Sequence, residues 1–478
     1  MTDLNIIYIY CDELRTDALG CYGNKYAKMK TPNIDRIAEK GVKFENCFCN
    51  SPVCVPSRVS NLTGLYPEDI GVYHNEAAHT RFHLDQKYDT LPEVFARNGY
   101  KTANFGKVHL PQDLYRNDKG NTIFQHSNVE GSQMLHVKKS DLKNMIAPQG
   151  FKTGRRMSII GGRFPKDKSY PPEKVTKNAL EWLKKENGPY FLRISYLQPH
   201  TPVLTPPPYD TIYEEENFPK TIEHEGELSE FEKRFAQVVD AASMTKEEIY
   251  FAQVYYYGLV AWIDAQIGKI FGFLESLGQL ENTIIVFSAD HGVSLGENGC
   301  FAKQIYAPQV HRVPLLISSP SIKSKQKSRK DICESLDLPK TLFNLVGIEA
   351  PEQFKGRDLF SSEPPESVYS TIGFGYSSSF TFPMRLHGNY LEGNGWPRRT
   401  CIRTNEFRLD KTVRLNGKPI QKEKEDLFLV NWKYDPKEIH NLARDSDWKD
   451  ILEKLSKMLD EHISNSIEPP EEYVYLTK

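Results

Sequence analysis

Four apolar, strand-like runs lie far apart in the chain, at residues 5–10, 100–105, 190–196 and 283–288, and each breaks off into polar residues. Cys11-Asp12-Glu13 follows the first and Gly106-Lys107-Val108-His109 the second. Gln198-Pro199-His200 follows the third and Asp290-His291-Gly292 the fourth. Helical patterns fall between them at 33–40, 91–98, 172–186 and 247–277, the last long enough to contain a break. Near-continuous apolar strands alternating with helices predict an α/β fold, a large, mixed, mostly parallel sheet covered by helices on both faces. In open sheets of this kind ligands bind outside the carboxyl ends of the strands. One Asp after a strand is a common turn former or helix cap, and one His is more often structural than a ligand. The same arrangement at four strand ends points instead to a shared site.

Asp12, Glu13, Asp290 and His291 form a hard, oxygen-rich donor set. It suits Ca²⁺ first, with Mg²⁺ or Mn²⁺ as alternatives, better than zinc or copper. Three carboxylates brought together without a cation would repel one another, and a bound cation relieves that repulsion.

The 478 residues allow a large core plus a second unit. A formal charge of −2 gives no basic field, so no nucleic-acid partner is expected. No run approaches the roughly 20 apolar residues of a membrane span, and the N-terminus shows no signal-peptide pattern, so a cytoplasmic, bacterial enzyme is expected. The eight cysteines, at 11, 21, 47, 49, 54, 300, 333 and 401, read as reduced thiols, with no pair at zinc-site spacing. Residues 117–171 and the charged stretch 214–241 read as loop excursions. A linker at 361–366 divides a catalytic domain, 1–360, from a smaller C-terminal α+β domain, 361–478. That domain has strands near 368–372, 401–404 and 426–429 and a helix over 448–464. Arg155, Arg156, Arg163, Arg398 and Arg399 are candidates for a further anionic group such as a uronic acid, although solvated charge is the commoner fate of such residues.

Ser51-Pro52-Val53-Cys54-Val55-Pro56-Ser57-Arg58, followed by Leu62-Thr63-Gly64, resembles the C-x-P-S-R maturation motif of the sulfatases and its L-T-G continuation. The resemblance extends through Thr31-Pro32-Asn33, Gly106-Lys107-Val108-His109-Leu110, Asp290-His291-Gly292 with Leu295-Gly296-Glu297, Lys303 and Arg312-Val313-Pro314-Leu315. Near the end it includes Asp426-Leu427-Phe428 and Asp435-Pro436-Lys437-Glu438. It implies an alkaline phosphatase-like fold and hydrolysis of a sulfate monoester, of a sugar or an aryl alcohol. Sugar sulfates are preferred to steroid sulfates because no apolar hairpin that would embed in a membrane is evident. The nucleophile it implies is formylglycine (3-oxoalanine) made from Cys54 by a formylglycine-generating or radical maturation enzyme.

The implied cation ligands are Asp12, Glu13, Asp290, His291 and the converted residue 54. Arg58 and Lys107 would steady that centre, and His109 would act as base. His200 and Lys303 would contact sulfate, one of them protonating the leaving oxygen, with the choice open. Two departures stand out. Glu13 replaces the usual Asp, and Val108 replaces a Trp, which should alter packing more than chemistry. Two rivals remain: a phosphonate monoester hydrolase or phosphodiesterase of the same superfamily, and a non-catalytic binder of sulfated glycans. The complete residue set argues against the binder. Oligomeric state is not legible.

Overall fold

The computed structural model describes residues 3–475 apart from 24–30, 82–87, 117–121, 136–160, 215–217, 219–225, 240–244, 323–325, 361–362, 374–396, 416–417 and 469–473. Arg155 and Arg156, and most of the stretch 117–171, therefore lie outside the described residues. The large sheet contains β1 (Asn5–Asp12), β2 (Val42–Phe48), β3 (Lys101–Gly106), β4 (His126–Asn128), β5 (Tyr190–Pro199), β6 (Thr283–Ala289), β7 (Leu315–Ser318) and β8 (Ser328–Glu334). Their order is β8-β2-β7-β6-β1-β5-β3-β4. β7 runs antiparallel to both its neighbours, and the other described pairings in this sheet are parallel. The sheet is mixed and mostly parallel, as the sequence predicts.

Side chains alternate across a strand, so β1 feeds two cores. Ile7, Ile9 and Cys11 pack with α1 (Pro32–Lys40), α4 (Glu173–Leu183) and α5 (Lys246–Ser276). Ile6, Tyr8 and Tyr10 pack with α2 (Cys54–Thr63), α3 (Leu91–Arg97) and α6 (Asp337–Val346) on the other face.

The pattern at 247–277, long enough to contain a break, has none. α5 is one continuous helix of 31 residues. It opens on a capping box in which Glu248 N donates to Thr245 Oγ1 and Thr245 N to Glu248 Oε2. Gly258, the natural place for a break, serves close packing instead: a Cβ there would lie 2.4 Å from the Tyr209 carbonyl oxygen. No helix among the described residues is long and apolar enough to cross a membrane.

Beyond the large sheet stands an antiparallel sheet of β9 (Val368–Gly373), β10 (Pro397–Arg403), β11 (Phe407–Leu415), β12 (Lys418–Pro419) and β13 (Leu427–Asn431). α7 (Lys449–Ile463) covers it through Leu455 and Leu459, which pack on Ile402, Leu409 and Leu429. β10 is longer than the strand predicted near 401–404, and β11 has no predicted counterpart, because both are rich in charge. That charge is buried and paired: Arg399 meets Asp410 and Asp426, and Arg403 and Arg408 share Glu438. Arg399 is therefore neither solvated nor open to a ligand. Arg398 is likewise buried and holds both carboxylate oxygens of Glu468. Arg163 pairs with Glu214.

The two excursions need correction as well. The first contributes β4, the edge strand of the large sheet. The second contains the helix Glu230–Val239, whose leading N–H groups, on Glu230 and Phe231, donate to the Asp426 carboxylate. That cap comes from a residue almost two hundred positions away, so no local signal announces it. All eight cysteines are free thiols.

Candidate active site

β6, β1, β5 and β3 are consecutive in the sheet and parallel, so their carboxyl ends lie side by side. These are the four strand ends that carry polar residues in the sequence. Cys11 sits in register with Tyr196 on one side and Ala289 on the other, which brings Asp12, His200 and Asp290 together just beyond. Gly106 ends β3 at φ +98, and a Cβ there would lie 2.0 Å from the Ser195 carbonyl oxygen. Only glycine accepts both conditions, and the turn it makes delivers Lys107 and His109.

α2 enters the same site from the chain after β2, with Cys54 as its first residue. The free N–H groups of a helix start favour negative charge, and the second of them, on Val55, donates to Asn75 Oδ1 at 2.9 Å. Ser57 Oγ donates to the Asp290 carbonyl at 2.6 Å. One turn in, Arg58 is wholly buried and bridges two acids, with Nη2 2.7 Å from Asp12 Oδ2 and Nε 2.9 Å from Asp290 Oδ2. Val55, Ser57 and Arg58 of the C-x-P-S-R run are thus each tied down by hydrogen bonds. Gly64 closes the helix at φ +66, where a Cβ would strike the Phe354 ring.

Around the Cys54 sulfur stand Lys303 Nζ at 2.9 Å, His291 Nε2 at 3.4 Å and Asp12 Oδ1 at 3.7 Å, with His109 hydrogen-bonded to it. Burial pushes the thiol pKa up, but Lys107, Lys303 and His291 outweigh it and hold the group well below the usual thiol range. Lys107 Nζ donates to Asp12 Oδ2. Burial and Cys54 raise the Asp12 pKa, yet Lys107, His200 and Arg58 bring it below the carboxylate range. Burial and Asp12 lift Asp290 above its ordinary value. Burial and Lys107 draw His109 down to about 4, so it is neutral at pH 7. Lys303 resists the lowering effect of burial because Cys54, Glu13 and Asp12 hold its proton in place.

Asp12, Cys54, Asp290 and His291 each offer a ligand atom, and these atoms lie within 4.8 Å of one another. His291 Nδ1 lies 2.8 Å from the Gly292 carbonyl, which can only accept, so a proton sits there and Nε2 is the nitrogen left to face the cluster and offer its lone pair to a bound cation. Without a cation, burial lowers the His291 pKa but Asp290 and Cys54 overcome it, raising it to about 9. Buried acids, a thiolate and an imidazole aimed at one point fit a divalent cation. Glu13 stands apart from this four-atom group and belongs to a second, with Asp12 and His200. Its longer side chain reaches Lys303 Nζ at 2.7 Å and His200 Nε2 at 3.2 Å.

The ten residues implied as cation ligands or catalytic groups, Asp12, Glu13, Cys54, Arg58, Lys107, His109, His200, Asp290, His291 and Lys303, converge here. Ser195, Asn75 and Arg193 also reach the site and escaped the sequence reading. Ser195 Oγ accepts from Arg58 Nη1 at 3.1 Å. Arg193 is wholly buried, lies over the Tyr10 ring and donates to Asn104 and the Lys107 carbonyl. An arginine inside the apolar strand 190–196 was the available signal. Val108, in place of the expected Trp, packs in the core.

A sulfatase family model matches residues 4–348, and a model of the N-sulphoglucosamine sulphohydrolase C-terminal region matches 296–465. An arylsulfatase of Clostridium perfringens is 26% identical over 485 residues, covering 95% of this chain and 93% of its own. The fold matches a solved structure in complex with D-glucosamine-2-N,6-O-disulfate as its substrate (TM-score 0.71, 21% identity, 97% and 98% coverage). It also matches phosphonate monoester hydrolase of Agrobacterium radiobacter (TM-score 0.71, 20% identity, 99% and 100% coverage). With a family model spanning most of its length, the chain belongs to the sulfatase family and is a sulfuric ester hydrolase.

Proposed function

We propose that the enzyme releases sulfate from a small sulfated sugar, using residue 54 after its conversion to formylglycine by a maturation enzyme, and a divalent cation. The observation that carries the reading is the Cys54 sulfur held among Lys303, His291, His109 and Asp12 at the shared ends of four strands. Asp12, Asp290, His291 and residue 54 would hold the cation, with Glu13 at its edge. The oxygen-rich set favours Ca²⁺, with Mg²⁺ and Mn²⁺ as alternatives. When bound, the cation supplies a Lewis acid that neutralises charge on the sulfuryl oxygens. The hydrated aldehyde supplies the nucleophilic oxygen that a thiol cannot.

The remaining work falls to side chains whose geometry is in place. Arg58 fixes the Asp12 and Asp290 carboxylates and screens their repulsion. Lys107 does the same for the outer edge of Asp12. His109, neutral at pH 7, accepts a proton from the group at position 54. Lys303, whose proton is held firmly, binds a sulfuryl oxygen as a cation. That leaves His200 to protonate the leaving oxygen. Its Nδ1 is committed to the Thr201 carbonyl at 2.5 Å, which leaves Nε2, set between Glu13 and Lys303, as the nitrogen that would deliver the proton.

A sugar substrate is supported by the disulfated glucosamine named for one structural neighbour and by the match to the sulphohydrolase C-terminal model. The test is a substrate panel with matured enzyme: sugar sulfates, an aryl sulfate and a phosphonate monoester. Faster turnover of the phosphonate would transfer the enzyme to the neighbouring activity. Mass analysis of the Cys54 peptide checks the conversion, which removes roughly 18 Da, whereas ordinary thiol oxidations add mass. An unchanged cysteine after co-expression with a maturase would overturn the nucleophile.

A further inference from the structure

Glu13 is held in the left-handed region, at φ +61, a conformation that side-chain-bearing residues adopt rarely and only where the surroundings impose it. Three contacts impose it here. Its N–H donates to Asp290 Oδ1 at 3.1 Å. Its carbonyl accepts from the Tyr256 hydroxyl at 2.6 Å, and the same hydroxyl accepts from Arg15 N at 3.0 Å. One phenol oxygen therefore spans residues 13 to 15 as a backbone hydrogen bond would span a turn.

Tyr256 lies in the middle of α5, is 1% exposed and packs edge-on against Tyr257, so its hydroxyl is a fixed point. The other end of the turn is fixed too. Arg15 grips both oxygens of Asp17 and donates to Glu297 Oε1 at 2.8 Å. The second Glu297 oxygen accepts from Leu295 N at 2.6 Å. The loop bearing Glu13 is thereby tied to the loop that follows Asp290 and His291.

We infer that Tyr256 is a positioning residue for the cation centre, holding Glu13 in the strained conformation from which its carboxylate serves that centre. The inference rests on the sulfatase reading of the site. Tyr256 touches none of the proposed reacting groups; it acts on the main chain of Glu13. Replacing the phenol by phenyl removes one oxygen and keeps the ring in its packing.

The experiment is calorimetric titration of Ca²⁺ into metal-stripped wild-type, Tyr256→Phe, Glu13→Ala and double-variant enzyme, with thermal unfolding of each to verify folding. Tyr256→Phe should weaken cation binding on the order of 10-fold, as loss of an outer partner of a ligand does. In the Glu13→Ala background the same substitution should cost little more, because its route of action is gone. Wild-type affinity in Tyr256→Phe, or an effect that persists undiminished without the Glu13 carboxylate, overturns the inference. If wild-type enzyme binds no divalent cation, the reading of the site fails instead.

Discussion

Arg408 donates to the main-chain carbonyl of Tyr306 at 2.7 Å, three residues beyond Lys303. Arg403 reaches the same oxygen at 2.9 Å, and the Tyr306 hydroxyl donates in turn to the carbonyls of Ser370 and Arg399. The small sheet thus grips the Lys303 loop at Tyr306. Tyr306→Phe strips the donor from two buried carbonyls and should cost about 1–3 kcal/mol of stability. Urea unfolding measures it; an unchanged midpoint and slope would mean that the carbonyls find other donors.

Arg58 offers its guanidinium to Asp12 and Asp290 at once, which a lysine's single nitrogen cannot reproduce. Arg58→Lys should lower kcat/KM, or the affinity for the cation, by about 10–100-fold while leaving the fold intact. Steady-state kinetics with metal analysis would show it. Full activity in the variant would mean that charge alone suffices.

If His200 protonates the leaving oxygen, its removal should matter in proportion to how badly that oxygen needs the proton. His200→Gln should slow a sugar sulfate by about 10²–10⁴-fold. The defect should shrink greatly with a nitrophenyl sulfate, whose leaving group is stable as an anion. Equal defects on both substrates would reassign the proton to Lys303.

Glu334 is buried beside Asp337, and burial first, then that neighbour, raises its pKa to about 8. The unfolded chain loses this proton near the ordinary value of 4.5, so the folded protein binds the extra proton between those two values. Its stabilising contribution is present at acid pH and is lost as pH rises towards 8. Glutamine mimics the neutral acid and can still accept from Asn50 and Tyr369 N. Glu334→Gln should therefore gain thermal stability relative to wild type from about pH 5 to 8. Parallel melting curves across that range would contradict the shift.

The general shape and the content of the site were legible in the sequence for one physical reason. Residues that end neighbouring parallel strands must share an edge, so Asp12, Lys107, His200 and Asp290 could be brought together without coordinates. Their adjacency in the order β6-β1-β5-β3 could not be read, because strand order depends on how the helices cross over. Hidden too were contacts made at long range by ordinary-looking residues, as with Asp426 capping a helix or Asn75 at the start of α2. Charge is a poor guide to exposure where it is buried in pairs: Arg398 and Arg399 look like surface residues until Glu468, Asp410 and Asp426 are seen beside them. The continuity of α5 was equally invisible, since a pattern of that length leaves room for a break and only the packing of Gly258 shows what the glycine is for.

Glu13 and His109 both stand in the left-handed region, at φ +61 and +53, in the segments that follow β1 and β3. A glycine at either place would rest easily, where any other L-residue gives up about 1–2 kcal/mol. At both places the chain is a poorer folder than it could be, and both places are chemical; Gln304 and Glu438 share the conformation. A search for more heat-resistant variants that ranks substitutions by folding alone would be drawn to these positions. It would return a sturdier protein with the working groups removed.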